Sequence, residues 1–406
     1  METKRTKILF LIGCLLFTLI KSDIFCQPVN VSGYSFLNMS ADTVEYYGYS
    51  REQFKLFVKK FSQMIRLGNN QINILHIGDS HLQADLYTGQ VRKNFQSFTD
   101  GLTGARGMIT PFLKGCPDSY KVTFSPSWAS ENIISSKDKE NLGLWGTTVY
   151  TRTNGSTVNI SVNNKNSVKY DFNRLRIYHS PLGQGDNIIL SDLETAYQKV
   201  YNSKYGYTEF VLADYITDVT VTVKKTSSDT FYIYGFYFTT DDPGVVYNVT
   251  GTNGASAMSY LGADKLFSHI ESIKPDMVIL SLGTNDTYEP GGENTFENNL
   301  SALVNKIKSA TNNVPVLLIT PLECYYHRKR INPRQDKTIE IIKNTAKNTG
   351  CLYLDMYKVF GGKGSSDKLL HNSLMQTDRI HLTSKGYQME GDLLYNALWD
   401  AIEKNF

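Results

Sequence analysis

Residues 51–98 and 260–404 alternate short apolar runs with amphipathic stretches, and no other feature of this 406-residue chain constrains its fold so strongly. Parallel strands need long crossovers, which are usually helical, so this alternation predicts a parallel sheet with helices on both faces. Residues 51–67 put Phe54, Val58, Phe61 and Ile65 on one helical face, and Ile72–Ile77 reads as a buried strand ending at Gly78-Asp79-Ser80. A second helix is expected from about Leu82 to Phe98. Later in the chain Tyr260–Ile273, Thr295–Thr311, Arg334–Asn348 and Thr383–Lys404 read as helices. Asp276–Leu282, Val314–Thr320 and Cys351–Asp355 read as the strands between them.

The texture between residues 100 and 245 is different: Thr, Ser, Asn, Val and Tyr predominate in short alternating runs. Thr157–Val162, Asn173–His179, Val219–Lys224 and Phe231–Thr239 have the period of two expected of half-buried antiparallel strands. The expected architecture is therefore α/β, a three-layer parallel-sheet domain interrupted by an antiparallel β-sandwich. Its expected segments are 27–99 and 246–406 for the α/β part and 100–245 for the insertion. Trp128 and Trp145 in the insertion suit either sugar stacking or core packing.

At the N-terminus Lys4, Arg5 and Lys7 precede an apolar stretch, Ile8–Ile20. That stretch is shorter than the ~18 residues a membrane span needs, and it has the form of a secretory signal. Residues 1–26 are the expected signal, cut after Cys26, with lipid attachment at Cys14 as the alternative. Export is the expectation, with no membrane span in the mature chain. The formal net charge of +3 is too small to argue for nucleic acid as a partner. After such a cut Cys116, Cys324 and Cys351 remain, too few for a disulfide framework. Cys324 and Cys351 fall at opposite ends of the expected sheet, so no bridge between them is expected.

Open α/β sheets bind ligands at the carboxyl ends of their strands. Gly78-Asp79-Ser80, Gly283-Thr284-Asn285-Asp286 and Asp378-Arg379-Ile380-His381 all fall there or in adjoining loops. Together they hold the parts of an acyl-transfer site. Ser80, at a strand-to-helix turn, is the candidate nucleophile and His381 its general base. Asp378, three residues earlier, can fix the imidazole tautomer. Asn285 can direct a side-chain N–H at a developing oxyanion, and Gly254 can add a backbone N–H because no Cβ blocks close approach. Gly251 lies three residues before Gly254 and is the other candidate glycine.

With these blocks in this order the sequence resembles the SGNH, or GDSL-like, hydrolases, whose fold is flavodoxin-like. By that resemblance Ser80, Asp378 and His381 form a catalytic triad, and Ser80, Gly254 and Asn285 the oxyanion hole. The run Gly78-Asp79-Ser80-His81-Leu82-Gln83-Ala84-Asp85, with a large β insertion before Gly254, is similar more narrowly to the peptidoglycan O-acetylesterases. The insertion of those enzymes resembles a carbohydrate-binding module. His81 stands where the GDSL name has leucine. The expected activity is deacetylation of an acetylated polysaccharide, most closely O-acetylated peptidoglycan, in a periplasmic or extracellular bacterial setting. The alternatives are an esterase or acetyltransferase for another polysaccharide, or a carbohydrate-binding envelope protein without catalysis. No cofactor is expected, and neither an HExxH nor a paired CxxC motif supports a metal. Two further signals stand apart. Gly361–Ser365 lacks the spacing of a phosphate loop and reads as a mobile loop near the site, and His327-Arg328-Lys329-Arg330 is a basic run after a strand.

Overall fold

Five parallel strands and one short antiparallel edge strand make the central sheet of the computed structural model, which describes residues 29–31, 33–115, 117–163 and 168–406. The expected signal 1–26, with Cys14 and Cys26, and Cys116 lie outside the described residues. Across the sheet the strands run Glu45–Tyr46, Leu352–Leu354, Val316–Ile319, Met277–Ser281, Gln71–Gly78 and Gly244–Gly251. Numbered along the chain, the five parallel strands have the order 2-1-3-4-5 of flavodoxin-like sheets, reversing direction between Gln71–Gly78 and Met277–Ser281. Ile72, Ile74, Leu75 and Ile77 are all fully buried because both faces of their strand are covered. One face packs Phe54, Phe61, Phe95 and Trp399 from helices Ser50–Leu67, Tyr87–Gln96 and Ser384–Glu403. The other packs Ile270, Leu303 and Ile342 from helices Leu266–Ile273, Glu293–Ala310 and Gln335–Thr349. The three-layer α/β expectation holds.

Three details differ from the sequence reading. Gly244–Gly251 is an additional parallel strand, and its Val-Val-Tyr-Asn-Val-Thr sequence continues the β texture that precedes it. The helix expected over 82–98 is two, Ser80–Gln83 and Tyr87–Gln96, broken where Asp85 takes a positive φ of 53°. Tyr260–Ile273 is likewise two helices, Ala257–Leu261 and Leu266–Ile273.

Between the two parts of this unit the chain builds a seven-stranded and a four-stranded antiparallel sheet. Val149, Val158, Phe172, Leu190, Val221 and Phe236 share a core between them. Trp128 is 8% exposed and donates Nε1–H to the Thr157 carbonyl, while Trp145 is 1% exposed and donates to that of Phe236. Core packing, not sugar stacking, accounts for both. Cys324 and Cys351 are buried free thiols.

The break at Asp85 has a cause. Its buried carboxylate accepts from Arg92 at 2.8 and 2.9 Å, Arg106 at 3.1 Å, Ser119 at 2.6 Å and Thr88 at 2.7 Å. Arg92 also donates Nε–H to the Tyr247 carbonyl on the edge strand. The group thus joins the helix after the Ser80 turn, the edge strand and the start of the insertion. Burial alone would raise the Asp85 carboxyl, but the charges of Arg92 and Arg106 outweigh it and hold the group well below the usual carboxylate range. Removing one member leaves buried charge uncompensated. Asp85→Ala should therefore lower unfolding stability by about 3–5 kcal/mol in urea titrations at pH 7. A loss below about 1 kcal/mol, the scale of exposed pairs, would contradict this account.

Candidate active site

Gln71–Gly78 delivers the chain to the carboxyl edge of the sheet, where Asp79 caps a one-turn helix by accepting the His81 N–H on Oδ1 at 3.0 Å. Ser80 begins that helix, so its N–H has no intrahelical acceptor. Ser80 Oγ lies 2.9 Å from His381 Nε2. His381 Nδ1 lies 2.8 Å from Asp378 Oδ2. The other Asp378 oxygen accepts the backbone N–H groups of Ile380 and His381 at 2.9 and 3.0 Å, curling the loop so that ring and carboxylate meet. Burial raises the Asp378 carboxyl, yet the His381 ring and these two N–H groups prevail and hold it below its ordinary value. The side chains of His381 and Asp378 are 30% and 21% exposed, so the pair is open to solvent on one side.

The other expected residues gather beside Ser80. Gly254 sits in the turn Thr252–Ala255 with φ of 81°, exposed, and a Cβ there would meet nothing nearer than Ile134 at 4.0 Å. Gly251 is different: a Cβ on it would strike Leu82 at 2.7 Å and the Asp79 carbonyl at 2.8 Å. It serves close packing of strand against helix, which leaves Gly254 as the open glycine. The Asn285 amide donates to the Ala255 carbonyl at 3.0 Å and to Asp79 Oδ2 at 3.3 Å. Two residues that the sequence reading left without a role complete this lock. Asp286 accepts the Ala257 N–H at 2.8 Å, and Gln83 accepts the Asn253 N–H at 2.6 Å. The Ser80 helix, the Gly254 turn and the Asn285 loop are thus bonded to one another.

Behind the Ser80–His381 contact lies a polar interior that the motifs do not announce. The His81 ring stands 5.2 Å from the His381 ring, and its Nδ1 lies 3.0 Å from the Tyr387 hydroxyl. Burial, with His381 nearby, pushes His81 down to about 3, so it is neutral when His381 gains a proton. Burial pushes Asp79 up to about 6 and Asp286 up to about 7. Glu390, also buried and with Oε2 lacking a partner, is pushed up to about 8. A carboxyl raised in the folded state gives stability that is complete below its ordinary value and is lost as pH rises to the raised one. Wild-type melting temperature should therefore fall relative to Glu390→Gln between about pH 5 and pH 8, as followed by calorimetry. A constant difference would mean that Glu390 does not titrate there.

The segment 361–365 differs from expectation. Buried Glu323 accepts the Gly364 N–H at 2.9 Å, the Ser366 N–H at 3.0 Å and the Ser366 hydroxyl at 2.6 Å, which pins the loop to the sheet end. Among the described residues no group of three or more His, Cys, Asp or Glu side chains could hold a metal ion.

Residues 230–389 match the GDSL-like lipase/acylhydrolase family. This match, together with the flavodoxin-like sheet and the β sheets set between its two parts, makes the chain similar to carboxylic ester hydrolases of the SGNH type. A solved peptidoglycan O-acetylesterase structure is similar over 89% of this chain and 99% of its own, at 18% identity and a TM-score of 0.74. A lipase/acylhydrolase from Enterococcus faecalis is similar over 39% of this chain and 77% of its own, at 23% identity and a TM-score of 0.32. An acetyl xylan esterase covers 38% of this chain and 81% of its own, at 24% identity and a TM-score of 0.31. No curated protein matches the sequence.

Proposed function

We propose that this protein is an exported serine esterase that removes O-acetyl groups from a glycan, with O-acetylated peptidoglycan as the substrate. The observation that carries the reading is the solvent-open hydrogen-bond chain Ser80–His381–Asp378 at the point where the strand order reverses. In the proposed mechanism Ser80 Oγ attacks the acetyl carbonyl carbon while His381 Nε2 takes its proton. The oxyanion is received by the N–H groups of Ser80 and Gly254 and by the Asn285 amide, which keeps one N–H on the Ala255 carbonyl and turns the other from Asp79 Oδ2 to the oxygen. Collapse of the tetrahedral intermediate breaks the bond to the sugar oxygen, and His381 returns the proton to that leaving group. Water, deprotonated by His381, then attacks the acetyl-serine, releasing acetate and restoring Ser80. Neutral His81 supports the imidazole without opposing its positive charge.

In this reading residues 1–26 are a signal peptide, 27–99 and 246–406 form the hydrolase unit, and 100–245 form the insertion. Among the described residues no helix is long and apolar enough to cross a membrane. The peptidoglycan assignment draws on the likeness to the O-acetylesterase, with which the chain shares its fold along most of its length. The insertion adds contact area that a small acetyl group cannot provide.

Ser80→Ala should abolish hydrolysis of a small acetyl ester without altering the circular dichroism of the fold. Asn285→Ala should lower kcat by about 10²–10³. Wild-type turnover in the first variant, or an unchanged rate in the second, would remove that residue from the mechanism. Acetate release from purified acetylated wall should exceed that from acetylated xylan, and the reverse preference would overturn the substrate.

A further inference from the structure

A two-stranded hairpin, Tyr325–Tyr326 paired with Arg330–Ile331, joins two of the loops that form the candidate site. On one side the Tyr325 N–H donates to the Arg379 carbonyl at 2.9 Å, one residue beyond Asp378, and the Arg379 guanidinium lies 4.3 Å from the Tyr325 ring centroid. On the other side the Tyr326 hydroxyl donates to Glu289 at 2.9 Å, and the His327 N–H donates to the Tyr288 hydroxyl at 2.8 Å. Arg334 completes this side by donating to the carbonyls of Thr287 and Tyr288. The rings of Tyr288, Tyr326 and His327 pack together at the hairpin end, with centroids 4.1–5.8 Å apart.

The turn itself is unusual. The Lys329 N–H closes it onto the Tyr326 carbonyl, and the two central residues, His327 and Arg328, both have positive φ, 48° and 60°. Left-handed positions of this kind are filled at least cost by Asn and Gly. Here they carry a histidine and an arginine, followed by Lys329 and Arg330, and all four side chains are exposed. His327 faces Glu289 at 3.7 Å. Arg328, Lys329 and Arg330 have no ion-pair partner among the described residues. Three uncompensated cations thus stand on a stiff tip tied to both the Asp378–His381 loop and the Asn285–Tyr288 loop. A backbone preference overridden to present cations at such a place points to recognition.

We propose that this hairpin is a specificity element that holds a glycan bearing carboxylates, drawing the anionic polymer along the mouth of the site. For the reaction the inference rests on the esterase reading above; for binding it does not. A tip of this charge raises the local concentration of a polyanion and is screened by salt. The small neutral acetyl group gains nothing from it.

The test uses Arg328→Asn/Lys329→Gln/Arg330→Gln, in which asparagine suits the left-handed backbone. Co-sedimentation of Ser80→Ala protein with purified acetylated cell-wall glycan, with and without the triple change, should show binding weakened about five- to tenfold at low ionic strength. The salt dependence of binding should largely disappear with it. With Ser80 intact, the kcat/KM on that wall glycan relative to acetylated xylan should fall about fivefold. Unchanged binding and an unchanged ratio would overturn the hairpin's role while leaving an active esterase. Weakened binding in a protein that releases no acetate from any ester would instead overturn the esterase reading and sustain the role in binding.

Discussion

A hydrogen bond between side chains 301 positions apart, Ser80 Oγ to His381 Nε2, is the contact on which the rest of the structure converges. The sheet order makes it possible. The strand leading to Ser80 lies beside the strand leading to Asn285, at the reversal point, where loops leave in opposite directions and open a crevice between them. His381 reaches that crevice from a separate loop held by the Asp378 carboxylate and followed by the long helix Ser384–Glu403. Helix Ser384–Glu403 carries Tyr387, bonded to His81, and Glu390, buried in the same polar interior. One helix therefore stands behind the His81–His381 ring pair and buries a carboxyl that favours its protonated form.

The insertion is coupled to this centre through buried groups. Asp85, in the same Ser80-containing motif run, draws in Arg92 from the next helix and Arg106 from the start of the insertion. Trp145, from the insertion, packs 5.5 Å from His269 and 4.6 Å from Tyr178 in the core shared with the parallel sheet's helices. The antiparallel sheets and the parallel-sheet unit are thus joined by apolar and ionic contacts.

Much of this was legible from the sequence because it depends on local pattern. Buried apolar runs such as Ile72–Ile77 specify doubly covered strands, and Gly78-Asp79-Ser80 specifies a turn with a capped helix start. What was not legible depends on partners distant in sequence. Gly244–Gly251 reads like its antiparallel neighbours, and only its pairing with Gln71–Gly78 makes it parallel. Asp85 interrupts a helix because two arginines and a serine converge on it, which no periodicity reveals. That Gly251 is packed against Leu82 and the Asp79 carbonyl while Gly254 is open is a steric fact of the fold. His81 stands out in the sequence only as a departure from the GDSL name, and its contacts with His381 and Tyr387 come from the fold. The Gly361–Ser365 loop is pinned by a carboxylate that its own composition does not suggest.

The central claim is that His381 activates Ser80 as a nucleophile, and covalent labelling tests it most directly. An organophosphonate ester that phosphonylates activated serines should modify one residue, Ser80, as mapped by peptide mass spectrometry. Labelling should slow by about 10³-fold or more in His381→Ala, which removes the base while leaving the hydroxyl. An adduct on another side chain, or the same labelling rate with and without the imidazole, would contradict the account.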